Sequence, residues 1–219
     1  MDSTDWPAHV FGRARFERFE KIAGGDTQAA LELYLGEQEE ALDVFLVLSL
    51  LEVGLRNVVC AALERQGQPW YEVLSELLKG ESAHLLESKK KVAAEHQRDR
   101  LIASLTFGFW CSLFSAQLEA TLWNKYLCSI GHSRSAMTRK QVAGSLKQAR
   151  TLRNRIAHHE PIANTGLHDH LAGIFELLRW VSNDLASFAE FAHMGRKNAR
   201  LRQAVELPHE QARASTGPT

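Results

Sequence analysis

The chain has 219 residues, 45% hydrophobic and 24% charged, with 26 basic side chains against 26 acidic ones. That length and apolar content support one large folded domain and exclude global disorder, while the charge balance excludes a surface coated in cations for nonspecific nucleic-acid binding. The three cysteines, Cys60, Cys111 and Cys128, form no C-x-x-C pair; they predict buried thiols in a reducing cytosol rather than a disulfide frame or a zinc site, so a cytoplasmic location is expected.

The N-terminal residues, Met1-Asp2-Ser3-Thr4-Asp5-Trp6-Pro7, have no basic and apolar regions of an export signal. The most apolar run, 44–51, is cut by Glu52. It falls short of the roughly 20 residues a membrane span needs, and no membrane partner is expected. Phe11, Phe16, Phe19 and Ile22 recur at helical spacing and predict a first helix, ended by Gly24-Gly25. Asp26 or Thr27 then caps a second, with Leu31, Tyr34 and Leu35 on its apolar side. A third helix over about 39–66 is apolar on most faces, at Leu42, Phe45, Leu46, Leu48, Val53, Val59 and Leu63, and is expected to be the buried centre. Within it Glu52 and Arg56 stand one turn apart, where they suit either a partly buried ion pair or groups that orient a site on another helix.

Gly67 and Pro69 predict a turn, 71–79 a short helix closed by Gly80, and 81–97 a polar amphipathic helix. An aromatic cluster at Phe107, Phe109 and Trp110 is expected in the core of a helix reaching from about 101 to 127. After a loop at 131–136, Thr138 is a good N-cap for a long helix with Val142, Leu146, Ala149, Leu152 and Ile156 along one stripe. A further amphipathic helix covers 171–188, and the small polar residues from Pro208 predict a frayed tail. No β-period run appears, so the expected fold is all-α: a single helical domain over 1–205 and a flexible tail over 206–219.

Charge is unevenly placed. Residues 120–159 contain no Asp or Glu but include Lys125, Arg134, Arg139, Lys140, Lys147, Arg150, Arg153 and Arg155. This basic stretch ends on Arg153-Asn154-Arg155-Ile156-Ala157-His158-His159-Glu160-Pro161. Pro161 must stop the helix there, having no N–H and a ring that clashes with the preceding turn. At about 100° per residue Asn154 and His158 share a face, whereas Arg153 and His158 stand about 140° apart. Either the last turn is distorted or a second copy of the chain completes the site, and both are expected.

These side chains suit cleavage of an RNA phosphodiester. A neutral imidazole can take the 2′-OH proton, a guanidinium can stabilise charge on the phosphorus oxygens, and an amide can hold the phosphate; the adjacent 2′-OH makes a metal unnecessary. His158 is thus the candidate acid/base, Arg153 the phosphate stabiliser and Asn154 the orienter, with no cofactor. The competing account is a helix end that satisfies its own polar groups. A metal site from His158, His159, Glu160, His168, Asp169 and His170 is a third, disfavoured because adjacent histidines on a helix diverge and no H-x-x-x-H spacing exists.

Arg153-Asn154-Arg155-Ile156-Ala157-His158-His159-Glu160-Pro161-Ile162 resembles the signature of the Abi-like abortive-infection proteins of the HEPN superfamily. Leu51-Glu52-Val53-Gly54-Leu55-Arg56-Asn57, Leu105-Thr106-Phe107-Gly108-Phe109-Trp110 and His170 ahead of 174–180 match further blocks in order. The resemblance implies a HEPN-like helical bundle, commonly a homodimer, whose active members cut RNA without metal at a composite dimer-interface site. His159 and Glu160 beside the motif are candidate supporting residues, and Arg139, Lys140, Lys147, Arg150 and Arg155, shown outward by the basic helix, are candidate RNA contacts; the resemblance itself implies catalytic roles for Arg153, Asn154 and His158 and an accompanying polar cluster of Glu52, Arg56 and Asn57. It also implies phage defence or toxin action, with an antitoxin or small RNA as possible further partners; a noncatalytic RNA-binding protein is the alternative. Gly36-Glu37 departs from the family's Trp-Asn, a difference expected to touch helix packing and not the motif.

Overall fold

Gly12 divides what the phenylalanine spacing predicts as one helix: with φ at 89° it ends α1 (Trp6–Phe11) and starts α2 (Arg13–Ile22). The computed structural model describes residues 6–92, 97–131, 137–162 and 166–214, except for the side chains of 92, 97 and 200–214. Phe16 and Phe19 of α2 are buried with Ala8 and Ala30, and Phe11 stacks on Tyr34 at 4.6 Å between ring centroids. This is a small apolar cluster separate from the main core.

Asp26 accepts hydrogen bonds from the N–H groups of Gln28 and Ala29, at 2.9 and 3.1 Å, and opens α3 (Thr27–Glu64). The sequence places a boundary near residue 39, but α3 continues for 38 residues. Gly36 weakens a helix by only about 1 kcal/mol relative to alanine, and no proline interrupts the turns on either side. The helix is therefore about 57 Å long at 1.5 Å per residue. By length and hydropathy alone it could cross a membrane, which the shorter run at 44–51 does not suggest. In the fold, Val47, Leu48, Leu51, Leu55, Val59 and Leu63 of α3 form the centre of the main core.

Burial does not extend round the helix as the sequence predicts. Leu42, Phe45 and Val53 are exposed at 57%, 37% and 44%. With Ser49 they follow a three- and four-residue spacing that puts them on one stripe.

After the turn at Gly67 come α4 (Trp70–Leu77), α5 (Gly80–Val92) and α6 (Gln97–Ser104). Gly80, at φ 63°, begins α5 rather than closing α4. The expected helix over 101–127 is broken. Thr106 takes an extended conformation, accepts from Phe109 N–H at 3.2 Å, and caps the short α7 (Phe107–Ser112). Tight and wide single turns then follow from Ala116 to Ser129. Much of the predicted loop over 131–136, with Arg134, lies outside the described residues.

The motif helix, α8 (Arg139–Ala157), begins as the sequence predicts: Thr138 and Gln141 form a reciprocal capping box. Val142, Leu146, Ala149, Leu152 and Ile156 are all buried. The helix predicted over 171–188 is two helices, α9 (Leu167–Val181) and α10 (Asn183–Ala214). Ser182, extended at φ −166° and ψ 131°, separates them, and its hydroxyl accepts from Leu185 N–H at 3.3 Å.

The helix α10 passes Pro208 and continues to Ala214, so the backbone of 206–214 is helical where a tail is predicted; residues 215–219 lie outside the description. It runs antiparallel to α3. Gly54 admits Leu185 so closely that an added Cβ would lie 2.3 Å from its Cδ2, and further along Arg196 Nε donates to buried Asp43 at 2.6 Å. The described secondary structure is entirely helical, an all-α bundle with α3 at its centre.

Candidate functional site

The last turn of α8 is regular through Ala157, and His158 N–H still reaches Asn154 C=O at 3.0 Å. The departure from helix comes at His159, whose φ of 54° makes it the one non-glycine residue in the left-handed region among those described. Its N–H donates to Ile156 C=O at 3.0 Å, and Glu160 N–H donates to Arg155 C=O at 2.8 Å. This pair of bonds is a Schellman closure, which usually places glycine where His159 stands. His159→Gly is accordingly expected to stabilise the fold by about 0.5–1 kcal/mol, read as a raised Tm by calorimetry. A lowered Tm would mean that the imidazole itself holds the turn.

Beyond Pro161 the chain is pinned. Ile162 is buried, and its N–H donates to Glu37 Oε1 at 3.1 Å. The Glu37 carboxylate also pairs with Arg18 of α2. The departure at Gly36-Glu37 therefore does reach the motif: Glu37 ties the N-terminal helices and the exit of the motif helix to one point on α3.

Three separated sequence blocks meet at the flank of α8. A pocket of about 470 Å³ is lined by Glu52 of α3, by Arg150, Arg153 and Asn154 of α8, and by 103–108 between α6 and α7. Gly108 lies against Arg150 there; an added Cβ would sit 3.7 Å from Arg150 Nη1, an ordinary contact. Phe107 is buried beneath the turn while Thr106 is exposed at its edge. Among the described residues, the side chains of Glu52, Arg150, Arg153 and Asn154 have no hydrogen bond or ion pair, and Arg153 Nε is buried without an acceptor. Two guanidiniums, an amide and a carboxylate thus face one opening with their bonding capacity unspent.

Of the two readings of Glu52 and Arg56, the ion pair is not formed among the described residues, and Glu52 lines the pocket with the cations of α8 instead. Arg56 Nε is buried without a partner, and Asn57 donates to Val53 C=O at 2.9 Å outside the pocket. Behind the pocket Cys111 donates weakly to Leu146 C=O at 3.9 Å. Burial pushes its thiol up to about 12, while nearby Arg150 acts to lower it and Glu52 to raise it. Cys111 is a packing group here and not a nucleophile.

His158 is exposed at the helix cap and is not among the pocket-lining residues. The structure brings Arg153 and Asn154 together with Glu52, and leaves His158 of the same chain outside the rim. His159 and Glu160 are also exposed, Glu160 standing 3.6 Å from Arg155. Among the described residues no group of three possible ligands gathers to hold a metal ion.

The cations of α8 divide by role. Arg139 donates from Nη1 to Phe114 C=O at 2.9 Å and faces Glu119 at 3.0 Å, so it fastens α8 to the preceding turns and is not an outward RNA contact. Lys147 and Arg150 are exposed, and Lys140 lines a second, polar recess of about 390 Å³ against α9 with Gln141, Ser145, Gln148 and Glu176. The sequence could not rank Arg150 above its neighbours. The only hint is that it falls three residues before Arg153 and so shares its side of the helix. No family model, curated protein or solved structure matches the chain.

Proposed function

We propose that the chain is a metal-independent endoribonuclease of the HEPN type, built as a homodimer and acting in phage defence or as a toxin. The observation that supports this most is the meeting of Glu52, Arg150, Arg153 and Asn154 in one open pocket a single turn from His158. Arg153 and Arg150 bind and stabilise the scissile phosphate, Asn154 orients it, and an imidazole removes the 2′-OH proton so that the oxygen attacks phosphorus. The bond to the 5′-oxygen breaks, that oxygen takes a proton, and the product ends in a 2′,3′-cyclic phosphate. Lys147, exposed one turn before Arg150, extends the cationic track for a neighbouring phosphate, and Arg155, about 160° round the helix from Arg153, would meet RNA on another face.

The imidazole comes from His158 of a second copy. Leu42, Phe45 and Val53 are exposed along the α3 stripe that half-buried Ser49 shares, and the row from Phe45 leads on to Glu52 and Arg56. An apolar face that abuts the pocket is suited to a subunit contact that also closes the site.

The test is incubation of the protein with RNA in EDTA. Cleavage to 2′,3′-cyclic phosphate ends, lost in His158→Ala, is the expected result. RNA bound in a salt-sensitive manner but left intact would instead favour the noncatalytic RNA-binding alternative. A dimer with no RNA affinity at low salt would remove both.

A further inference from the structure

The pocket contains one group that phosphate binding does not need. A carboxylate repels a phosphate, yet Glu52 faces the same opening as Arg150 and Arg153 and is neutralised by neither through a direct ion pair among the described residues. A ligand that satisfies the whole lining must be anionic at one end and present hydrogen-bond donors at the other. A nucleotide has that polarity, and the volume of about 470 Å³ lies in the range of pockets that enclose small ligands.

The four bases offer a carboxylate very different edges. Both carboxylate oxygens accept and neither donates. On its Watson–Crick edge guanine presents N1–H and the N2 amine side by side, two parallel donors. Adenine and cytosine each set one amine beside a ring-nitrogen acceptor, and uracil flanks its single N–H with two carbonyls. Only guanine can give both oxygens a donor without placing a lone pair against the negative charge.

We propose that this pocket is a guanosine-nucleotide subsite, in which Glu52 reads the N1–H and N2 amine of guanine while Arg150 and Arg153 hold the attached phosphate. The inference rests on the nuclease reading in taking a ribonucleotide as ligand, and it names the residue that sets cleavage specificity. Asn154 and Thr106, at the rim, lie where sugar or phosphate oxygens can meet an amide and a hydroxyl. Unpaired guanosine is the form recognised, because its Watson–Crick edge must be free.

Binding is measured by calorimetry on the full-length protein with GMP, AMP, CMP, UMP and inorganic phosphate. GMP is expected to bind about tenfold or more tightly than each of the others, the discrimination of a bidentate base contact. Glu52→Gln, which places a donor where guanine also donates, removes that preference without lowering Tm, and Arg150→Ala weakens all four nucleotides together. A pentamer of adenosines with one central guanosine separates the two sources. Binding at least as tight as GMP assigns the site to RNA, and exclusion of the pentamer with GMP still bound assigns it to the free nucleotide.

Equal binding of the four nucleotides, inorganic phosphate competing as well as GMP, or GMP preference unchanged in Glu52→Gln each overturns the proposal. Failure of the nuclease reading is distinguishable. Guanosine-selective binding with intact RNA ends that reading and leaves the subsite, whereas cleavage indifferent to guanosine does the reverse.

Discussion

A heterodimer pairing one Arg153→Ala chain with one His158→Ala chain is expected to cleave RNA at about half the wild-type rate, while each parent homodimer falls by about 10²–10⁴-fold. The reason is geometric. Arg153 lines the pocket, whereas His158 of the same chain caps the helix outside it, about 140° round from Arg153 on an ideal helix. If the working pair is Arg153 of one chain and His158 of the other, the heterodimer has one site lacking both groups and one site with both intact. Should the pair belong to a single chain, every site in the heterodimer lacks one group, and activity stays at the level of the parents. Two affinity tags isolate the mixed species, and cleavage is followed under single-turnover conditions. Both side chains stand at the surface or at a pocket edge, so neither substitution removes core packing, and unchanged thermal unfolding is the control.

The same geometry shows how far the sequence can be read. Thr138 with Gln141, the buried stripe from Val142 to Ile156 and the stop before Pro161 are local signals, set by capping, helical period and ring sterics, and the structure contains all of them. The breaks at Gly12, Thr106 and Ser182 are local too, but apolar spacing on both sides runs through them and hides the positive φ of the glycine and the capping hydroxyls of the other two. The boundary read near residue 39 errs in the opposite sense, since Gly36 alone does not end a helix whose neighbours are good helix formers. What no spacing reveals is the choice of partner: Glu52 is one turn from Arg56 yet lines a pocket with Arg150 and Arg153, and Glu37 meets Ile162 across 125 positions. Arg139 looks like its cationic neighbours and differs only because Phe114 C=O and Glu119 come to it through the tertiary fold.

The largest stability loss is expected from Trp180→Ala, about 3–5 kcal/mol. Trp180 of α9 is 2% exposed, stacks on Trp123 at 6.1 Å and 15° between planes, and meets Phe114 edge-on at 5.9 Å. Its indole N–H edge also lies against Gly131, where an added Cβ would come within 2.7 Å of Nε1. Phe114, Trp123 and Gly131 all belong to the segment of short turns between α7 and α8, which has few helical hydrogen bonds of its own and is held in place by these rings. Arg139 donates to Phe114 C=O, so the start of the motif helix leans on the same cluster. Removing the indole leaves a cavity that rigid neighbours fill only in part, whereas Trp6→Ala, at a residue 47% exposed, is expected to change stability by less than about 0.5 kcal/mol. For a chain of this length the core substitution should lower Tm by about 6–20 °C, and urea unfolding should show a lower midpoint at unchanged slope. A changed slope with a small midpoint shift would mean that the segment of short turns unfolds apart from the bundle, and the motif helix would then be fixed by α3, α7 and α9 without it.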